Sequence, residues 1–294
     1  MIKGKVIFSS GGNYKVLAVD NEIYNAKPSG IFRKDKIKIL VGDNIELEVN
    51  QNKVGLKELN VIRTLEPRTN IFVRPNVTNI DLAIIVTSIN EPNLADYLLD
   101  KLITQFNLRC VTSILIFTKA DLGISKENEQ KIKEYQDSGF KTLISSNGIN
   151  PQDLKQLEKW TRNKVSVLTG QTGVGKSTFI NRLSPHFNIK TAAISIRLGR
   201  GKHTTRHLEI FTCFTSSYFI DTPGFSSFNV EDISRELLAW NFLDFEKYAP
   251  KCKYTNCSHI NEQGCEILKQ LDSETISIRK YKNYLKLRKE ILKK

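Results

Sequence analysis

The chain has 294 residues, of which 40% are hydrophobic and 26% are charged, and this composition of an ordinary folded protein predicts two or three units of about 100 to 150 residues. Its apolar runs are strand-sized, far below the roughly 18 residues that a membrane-spanning helix needs, which excludes an integral membrane protein and a membrane partner. The net charge of +13 favours a polyanionic partner, although solubilising lysines alone would give the same charge.

Residues 1–68 are predicted to form a small β-barrel. The first five residues are basic but no apolar stretch follows them, so the sequence predicts no secretory signal and a cytoplasmic protein. Turn residues separate short alternating segments, a pattern typical of a five-stranded barrel of the oligonucleotide-binding (OB) type. These segments are residues 5–8, 14–19 and 44–49. A basic stretch at residues 33–38 is expected on a strand or loop of the barrel, with a merely solvated loop as the alternative.

Residues 69–229 are predicted to form an α/β domain, because apolar strands alternate with helical segments and this favours a mostly parallel sheet covered by helices. The candidate strands are residues 81–87, 112–118, 141–145, 165–169, 208–214 and 218–221. Residues 230–294 are helical and contain cysteines. Their last part, residues 276–288, is predicted to be a basic amphipathic helix.

The base-reading residues come first along the chain and favour GTP over ATP. Asp121 is predicted to accept hydrogen bonds from N1–H and N2–H₂ of guanine, a donor pair that adenine lacks. Lys119 would lie along the base plane, and a serine pair at the end of another strand would offer a backbone N–H to the guanine O6. A T-K-x-D sequence on its own is often a surface turn, but it is specific beside a phosphate-binding loop. The predicted residues are Thr118, Lys119, Ala120, Asp121, Ser145 and Ser146.

A phosphate-binding loop (P-loop) follows the predicted strand at 165–169 and precedes a helix-like segment, in the pattern G-x-x-x-x-G-K-[ST]. Its backbone N–H groups would hold the β-phosphate, Lys176 would reach the β- and γ-phosphates as a catalytic cation, and Ser177 would ligate Mg²⁺. The flanking strand and helix argue against a chance glycine-rich turn. The predicted GTP ligands are Gly170, Gln171, Thr172, Gly173, Val174, Gly175, Lys176, Ser177 and Thr178.

Two later segments are predicted to complete the Mg²⁺ and γ-phosphate site. Asp221 ends a strand and supplies a Mg²⁺-linked carboxylate, and the N–H of Gly224 can sense the γ-phosphate. Residues 199–205 are a basic, glycine-rich loop in which a threonine would coordinate Mg²⁺ when GTP is bound. Thr205 is narrowly preferred over Thr204, and a plain connector is the alternative.

Three of the five cysteines crowd into one stretch with a histidine, in the pattern Cys-x₄-Cys-x-His-x₅-Cys. These ligand types suit one tetrahedral zinc ion, and four protein ligands leave no position for substrate, so the zinc would be structural. The ligands are Cys252, Cys257, His259 and Cys265. Buried free thiols are the alternative here and the preferred interpretation for Cys110 and Cys213.

The order of the motifs is unusual, because a standard small GTPase has its P-loop first and its base-reading residues last. The order seen here requires a circularly permuted domain. With the barrel, the P-loop, the G-R-G-K-H-T-T loop at 199–205, the D-T-P-G-F sequence at 221–225 and the cysteine cluster, the whole chain resembles the ribosome small-subunit-dependent GTPase A family. Thr118 replaces the usual Asn of GTPases and Ser146 the usual Ala. Losing the Asn amide, which braces the loops, puts nucleotide affinity in question but not guanine identity.

The resemblance implies a GTPase that hydrolyses GTP to GDP and phosphate, binds the small (30S) ribosomal subunit and acts in its late maturation. It implies that the barrel and the zinc domain contact 16S rRNA, and we expect a monomer. A non-ribosomal regulatory GTPase and an RNA-binding module that holds GTP without turnover are the alternatives.

Phe225 stands where Ras-like enzymes place the glutamine that orients the attacking water. A phenyl ring cannot position water, so intrinsic hydrolysis is predicted to be slow. The substitute would be His203, in the loop at 199–205, or a group of the ribosomal particle. His203 would otherwise be a solvent-exposed or RNA-contacting residue.

Overall fold

The computed structural model describes residues 1–49, 60–73, 76–146, 149–183, 185, 210–221 and 233–292. The described residues form two compact units. The first contains those within Met1–Leu82, Pro151–Thr169 and Ser177–Phe225, and the second contains those within Ala83–Asn150, Gly170–Lys176 and Ser226–Lys294.

Strands are numbered in chain order over the described residues: β1 (Ile2–Ser10), β2 (Asn13–Ala18), β3 (Ile23–Pro28), β4 (Asn44–Glu48), β5 (Asn60–Leu65), β6 (Ile71–Val73), β7 (Asn76–Thr78), β8 (Leu82–Ser88), β9 (Thr112–Thr118), β10 (Lys141–Ile144), β11 (Val165–Gly170), β12 (Ile210–Cys213) and β13 (Ser217–Asp221). The described helices are α1 (Gly30–Lys34), α2 (Asp96–Asn107), α3 (Lys126–Asp137), α4 (Pro151–Thr161), α5 (Lys176–Leu183), α6 (Arg235–Asn241), α7 (Glu266–Asp272) and α8 (Ile278–Leu292).

Strands β1 to β5 close into a barrel in the order β1-β2-β3-β5-β4, with β4 pairing back to β1. The β3–β5 pair is parallel and the other pairs are antiparallel. Burial alternates along β2 and β4, so every second side chain enters the barrel. This confirms the predicted five-stranded barrel. Its core consists of Val6, Tyr14, Val16, Ala26, Phe32, Ile39, Ile45, Leu47 and Ile62.

The basic stretch at residues 33–38 differs from the prediction, because Arg33 and Lys34 end the short helix α1 and only the residues after them form a loop. The physical reason is Phe32, whose side chain is buried in the barrel core and holds this segment in a helical turn. All the charged residues of the stretch are exposed.

A buried ion pair fastens the segment after β5 to the barrel. Asp43 is fully buried, and its carboxylate accepts hydrogen bonds from the Leu40 amide at 2.7 Å and from Nε and Nη2 of Arg68 at 2.7 and 2.8 Å. The bidentate pairing satisfies a charge that would be costly to bury alone.

The first unit also contains β11, β12 and β13. Strands β11 and β13 pair in parallel, and β12 pairs antiparallel with β13. In the second unit the strand order is β10-β9-β8, with β9 and β10 parallel. Every residue of β8 is buried, as expected for a strand covered on both faces. The candidate strands are thus confirmed within one or two residues at each described end.

Helix α8 carries the predicted amphipathic pattern. Tyr281, Tyr284 and Leu287 are buried at helical spacing, while Lys282 and Lys286 are exposed. No helix among the described residues combines the length and the apolar character that spanning a membrane requires.

Helix α8 is fastened to α2 and α3 by what we call the Arg279 cluster: Arg279 with the carboxylates of Asp96, Asp100 and Glu134. Nη1 of Arg279 lies 3.1 Å from Asp96 and 3.3 Å from Asp100, and its Nε lies 2.9 Å from Glu134. One guanidinium group therefore joins three helices.

The two isolated cysteines have different environments. Cys213 is buried, as predicted, and burial raises its pKa. The prediction for Cys110 is wrong, because its side chain is exposed. Cys110 has a φ of 56° in the turn between α2 and β9, and this turn directs the thiol outward although apolar residues flank it in sequence.

Candidate nucleotide site and metal site

The P-loop connects β11 to α5 and its backbone depends on three glycines. Gly170 has a φ of 155°, and a Cβ atom there would lie 2.2 Å from the carbonyl oxygen of Val86, so only glycine fits. Gly173 and Gly175 have φ values of 83° and 88°, in the left-handed region that favours glycine. Successive N–H groups before a helix form the kind of concave surface that binds phosphate.

The base-reading segment lies directly after β9. Lys119 has a left-handed backbone (φ 60°), and Asp121 is exposed in the 3₁₀ turn Ala120–Leu122. The Ala120 amide donates to the Ser145 carbonyl at 3.2 Å, which joins the two segments predicted to read the base. The Ser145 amide donates to the Phe117 carbonyl at 2.7 Å, so it is used by the sheet.

Thr118 links the base-reading strand to the P-loop. Its Oγ1 atom lies 2.5 Å from the Val174 carbonyl oxygen and 3.1 Å from the Thr87 carbonyl oxygen. The base-reading and phosphate-binding segments are therefore adjacent in the second unit, as the predicted site requires.

The loop that follows β8 also makes hydrogen bonds to the base-reading segment. The sequence motifs did not predict this contact. The Asn90 side chain donates to the Gly123 carbonyl, and the Lys119 ammonium group donates to the Glu91 carbonyl. Asn128, on α3, donates to the Ile89 carbonyl at 3.1 Å. The sequence signal for this loop is a run of polar residues directly after a mostly apolar strand, the position at which α/β sheets carry functional residues.

The remaining predicted residues are only partly described. Ser177 and Thr178 are exposed in the first turn of α5. Asp221 ends β13 and is the register partner of Leu168, so its backbone lies beside the end of β11, although its side chain falls outside the described structure. Four predicted residues, His203, Thr204, Thr205 and Gly224, lie outside the described residues, as does Phe225.

The predicted metal ligands meet in one cluster. The donor atoms of Cys252, Cys257, His259 and Cys265 all lie within 4.8 Å of one another. His259 Nδ1 is 3.3 Å from Cys265 Sγ and 3.7 Å from Cys252 Sγ. A tetrahedral site with bonds of about 2.0 to 2.3 Å separates its ligand atoms by about 3.5 to 3.8 Å. The cluster can therefore bind one metal ion.

Neighbouring groups hold His259 in the orientation that a ligand needs. The ring is buried, and its Nε2 lies 3.1 Å from the Ala239 carbonyl oxygen. Because that oxygen can only accept, Nε2 carries the proton and Nδ1 presents its lone pair to the sulfurs. Burial lowers the pKa of His259, which keeps the ring neutral.

Backbone amides and aromatic side chains hold the rest of the cluster. The Glu266 amide donates to Cys252 Sγ at 3.3 Å, and Cys265 lies at the N-cap position of α7. From α8, the hydroxyl of Tyr281 donates to the His259 carbonyl at 2.8 Å, and that of Tyr284 donates to the Ser258 carbonyl at 2.7 Å. Helix α8 thus anchors the ligand loop.

Glu262 lies in the same loop and has a structural role. It accepts backbone N–H bonds from Ser258 at 2.7 Å, from Ile260 at 2.8 Å and from Asn261 at 3.1 Å. Burial opposes its ionisation, but these bonds and that of the Ser258 hydroxyl lower its pKa to about 2. Its charge therefore stabilises the loop conformation.

Comparison with known proteins identifies the family. The sequence model described as RsgA GTPase matches residues 65–231, and the model described as RsgA N-terminal domain matches residues 3–56. This chain belongs to the RsgA GTPase family. A relative from Alkaliphilus metalliredigens, named small ribosomal subunit biogenesis GTPase RsgA, is 36% identical over 295 residues, covering 100% of this chain and 99% of that protein. A relative of the same name from Staphylococcus aureus strain MRSA252 is 38% identical over 294 residues, covering 99% and 98%.

Solved structures agree with the RsgA assignment. The structure of YloQ, described as a circularly permuted GTPase, matches with a TM-score of 0.81 and 28% identity, covering 100% of this chain and 96% of that one. YjeQ from Thermotoga maritima shares the fold, with a TM-score of 0.79, 24% identity and coverage of 100% and 99%. The predicted fold class is confirmed: a circularly permuted α/β GTPase with an N-terminal OB-like barrel and a C-terminal Cys/His cluster. As an RsgA GTPase, the chain is a GTP hydrolase.

Proposed function

We propose that this RsgA GTPase acts in biogenesis of the small ribosomal subunit, as a cytoplasmic monomer that binds the subunit through 16S rRNA. The observation that carries the proposal is the contact between Thr118 and Val174, which holds the base-reading and phosphate-binding segments together. This contact occurs in a chain that aligns over its full length with relatives named as small ribosomal subunit biogenesis GTPases.

The nucleotide site assigns one task to each segment. Asp121 accepts hydrogen bonds from the guanine edge, and the Ser146 amide supplies the donor for O6, since the Ser145 amide is used by β9. Residues 170–178 hold the phosphates, with Lys176 at the β- and γ-phosphates. Mg²⁺ neutralises charge that develops on the phosphate oxygens when it is bound. Its side-chain ligands in this proposal are Ser177, Thr205 and Asp221.

The switch residues are assigned from the sequence. Gly224 senses the γ-phosphate, and residues 199–205 order around GTP and are released after hydrolysis. His203 orients or deprotonates the attacking water, because Phe225 cannot do so.

Three functional parts follow from the sequence boundaries: a barrel at 1–68, a GTPase domain at 69–229 and a metal-bound helical domain at 230–294. The barrel contacts rRNA through exposed cations at residues 33–38, which gain free energy by displacing counterions from phosphates. The metal is one structural zinc ion per chain, because four protein side chains fill a tetrahedral site completely.

The test exchanges the base specificity. Asp121→Asn turns a carboxylate that accepts two N–H bonds into an amide that can pair with the extra oxygen of xanthine. Cosedimentation of the parent protein and of the variant with purified small subunits is measured in the presence of a non-hydrolysable GTP analogue and of the corresponding xanthosine analogue. We expect the parent protein to bind with the guanosine analogue and the variant with the xanthosine analogue.

Two results would contradict separate parts of the proposal. Unchanged nucleotide preference in Asp121→Asn would remove Asp121 from the base site. Exchanged preference without nucleotide-dependent binding to small subunits would leave the GTPase assignment intact and reject the ribosomal partner. Binding to small subunits should also weaken steeply with salt, since phosphate contacts release counterions.

A further inference from the structure

The base-reading turn is held at both of its ends by one neighbouring loop, residues 89–92. Lys119 and Gly123 are the residues that flank the turn. The Lys119 ammonium group donates a hydrogen bond to the Glu91 carbonyl. The Asn90 side-chain amide donates one to the Gly123 carbonyl. The loop therefore grips the turn on each side of the carboxylate that is proposed to read guanine.

The loop at 89–92 is itself fixed to the interior of the second unit. Its first residue, Ile89, is buried, and so is Leu94, two residues beyond its end. The Ile89 amide donates to the Thr118 carbonyl at 3.0 Å, and the Ile89 carbonyl accepts from the Asn128 side chain at 3.1 Å. Because apolar burial and hydrogen bonds fasten the loop to the sheet and to α3, it can act as a rigid support for the exposed turn.

The last residue of the loop lies beside the P-loop. A Cβ atom built on Gly173 would be 3.9 Å from Cδ of Pro92, the distance of an ordinary van der Waals contact. The loop at 89–92 thus adjoins both segments that the proposed function assigns to GTP, the turn that reads the base and the loop that holds the phosphates.

Two residues of this contact have a backbone conformation that non-glycine residues seldom adopt. The φ angle is 44° at Glu91 and 60° at Lys119, both in the left-handed region. Such a conformation costs free energy and persists where the surrounding structure enforces it, commonly at active sites and ligand clamps. The hydrogen bond between these two residues therefore points to a functional constraint on the loop.

We propose that Asn90 is a positioning residue for guanine specificity. By holding the Gly123 carbonyl it fixes the end of the turn, and with it the direction of the Asp121 carboxylate, while the carbonyl of the next residue in the loop holds Lys119. Both effects act on the base and not on the phosphates. This inference rests on the proposed base-reading role of Asp121, and it concerns a residue outside the GTPase sequence motifs.

The experiment compares two bases on the full chain. Binding of fluorescently labelled GDP is measured directly, and binding of inosine diphosphate is measured by competition. Inosine lacks the N2 amino group, so its base offers Asp121 one N–H donor instead of two. Single-turnover hydrolysis at saturating GTP is measured in parallel, without small subunits.

Two substitutions of Asn90 are tested beside one control. Asn90→Ala removes the amide, and Asn90→Asp keeps the shape of the side chain but cannot donate to a carbonyl when ionised. Asn93→Ala changes an exposed asparagine three residues further along the sequence and is the matched control.

Both Asn90 variants should weaken GDP binding about tenfold, the effect of roughly one hydrogen bond, and should weaken inosine diphosphate binding by a smaller factor. Their preference for GDP should therefore narrow. Hydrolysis at saturating GTP should keep the parent rate, because a base contact is the same before and during phosphoryl transfer. Asn93→Ala should match the parent protein in every measurement. Unchanged GDP affinity, an equal loss for both nucleotides, or a lower rate at saturating GTP in the Asn90 variants would overturn the proposal.

Asp121→Asn in the same assays separates this inference from the base-site assignment. If Asp121→Asn keeps the parent preference for GDP, the base site is wrongly placed and the inference about Asn90 falls with it. If Asp121→Asn loses the preference while both Asn90 variants keep it, only the positioning role of Asn90 is rejected.

Discussion

The hydroxyl group of Thr118 lies 2.5 Å from the carbonyl oxygen of Val174, 56 residues further along the chain. GTPases usually place an asparagine at this position, and its replacement puts nucleotide affinity in question when the sequence is considered alone. In the structure the threonine hydroxyl itself joins the base-reading strand to the P-loop, so a brace is present without the amide.

Thr118→Val should therefore weaken GDP binding about five- to tenfold, which corresponds to the roughly 1 kcal/mol of one neutral hydrogen bond. Valine keeps the size and branching of threonine and removes only the hydroxyl. Fluorescence titration with a labelled GDP measures the change, and Thr118→Ser is the control that keeps the hydroxyl. Parent-like affinity in the valine variant would show that the contact does not support the site.

Lys176→Ala and Ser177→Ala should each abolish GTP turnover. The first removes the cation at the β- and γ-phosphates and the second removes a Mg²⁺ ligand. Phosphate release with saturating small subunits measures the effect. Lys155→Ala, an exposed lysine of α4, is the matched control for loss of a positive charge. Normal turnover in either P-loop variant would refute the site assignment.

His203→Ala should reduce subunit-stimulated turnover by about 10²-fold while leaving GTP affinity nearly unchanged, the pattern for a group that acts on the attacking water. The control is His207→Ala, which removes the histidine four residues further along the sequence and should retain the stimulated rate. Single-turnover phosphate release separates this effect from product release. Parent-like rates in the His203 variant would assign the water-positioning group to the ribosomal particle.

Metal analysis should find about one equivalent of zinc per chain, and Cys257→Ser should lose it, because three remaining ligands bind zinc far more weakly than four. The Ser258 to Cys265 loop should then lose its protection against amide exchange. The control is Cys110→Ser, a change at the exposed cysteine outside the cluster, which should retain the metal. A metal-free parent protein with a fully protected loop would contradict the zinc assignment.

Arg279→Met should destabilise the junction of α2, α3 and α8 by about 3 kcal/mol, because it leaves three neighbouring carboxylates without their shared cation. Amide exchange in α8 measures the effect at neutral pH. Lys282→Met, a change on the exposed face of the same helix, is the control. Equal protection of α8 against amide exchange in both variants would show that the Arg279 cluster contributes little to the stability of this junction.

The loss of stability caused by Arg279→Met should become smaller as the pH falls from 7 to 4, because protonated carboxyl groups carry no charge for the cation to neutralise. Burial raises the pKa of Asp100 to about 6, so the contribution of Asp100 to this loss of stability disappears first as the pH falls. Burial opposes ionisation of Asp96, but Arg279 outweighs it and holds the Asp96 pKa below its ordinary value, so this share is lost only near or below pH 4. A deficit that grows in acid would contradict this account.

The sequence by itself determined the parts of this protein that depend on local chemistry. A P-loop requires glycines at fixed positions between a strand and a helix, and the φ values of Gly173 and Gly175 follow directly from that requirement. The four ligands of the metal cluster lie within 14 residues, so a short loop suffices to bring them together. Alternating and continuous apolar patterns likewise identified the barrel and the buried strands.

The tertiary structure decided which distant residues meet and which side chains reach solvent. The brace between Thr118 and Val174 and the Arg279 cluster join segments far apart in sequence, and no local pattern encodes such a meeting. Cys110 is exposed although apolar residues flank it, because a left-handed turn sets its direction. Arg33 and Lys34 lie in the last turn of a helix because the neighbouring Phe32 is buried in the barrel core. Burial and long-range contact depend on the path of the whole chain, and only the folded structure contains that information.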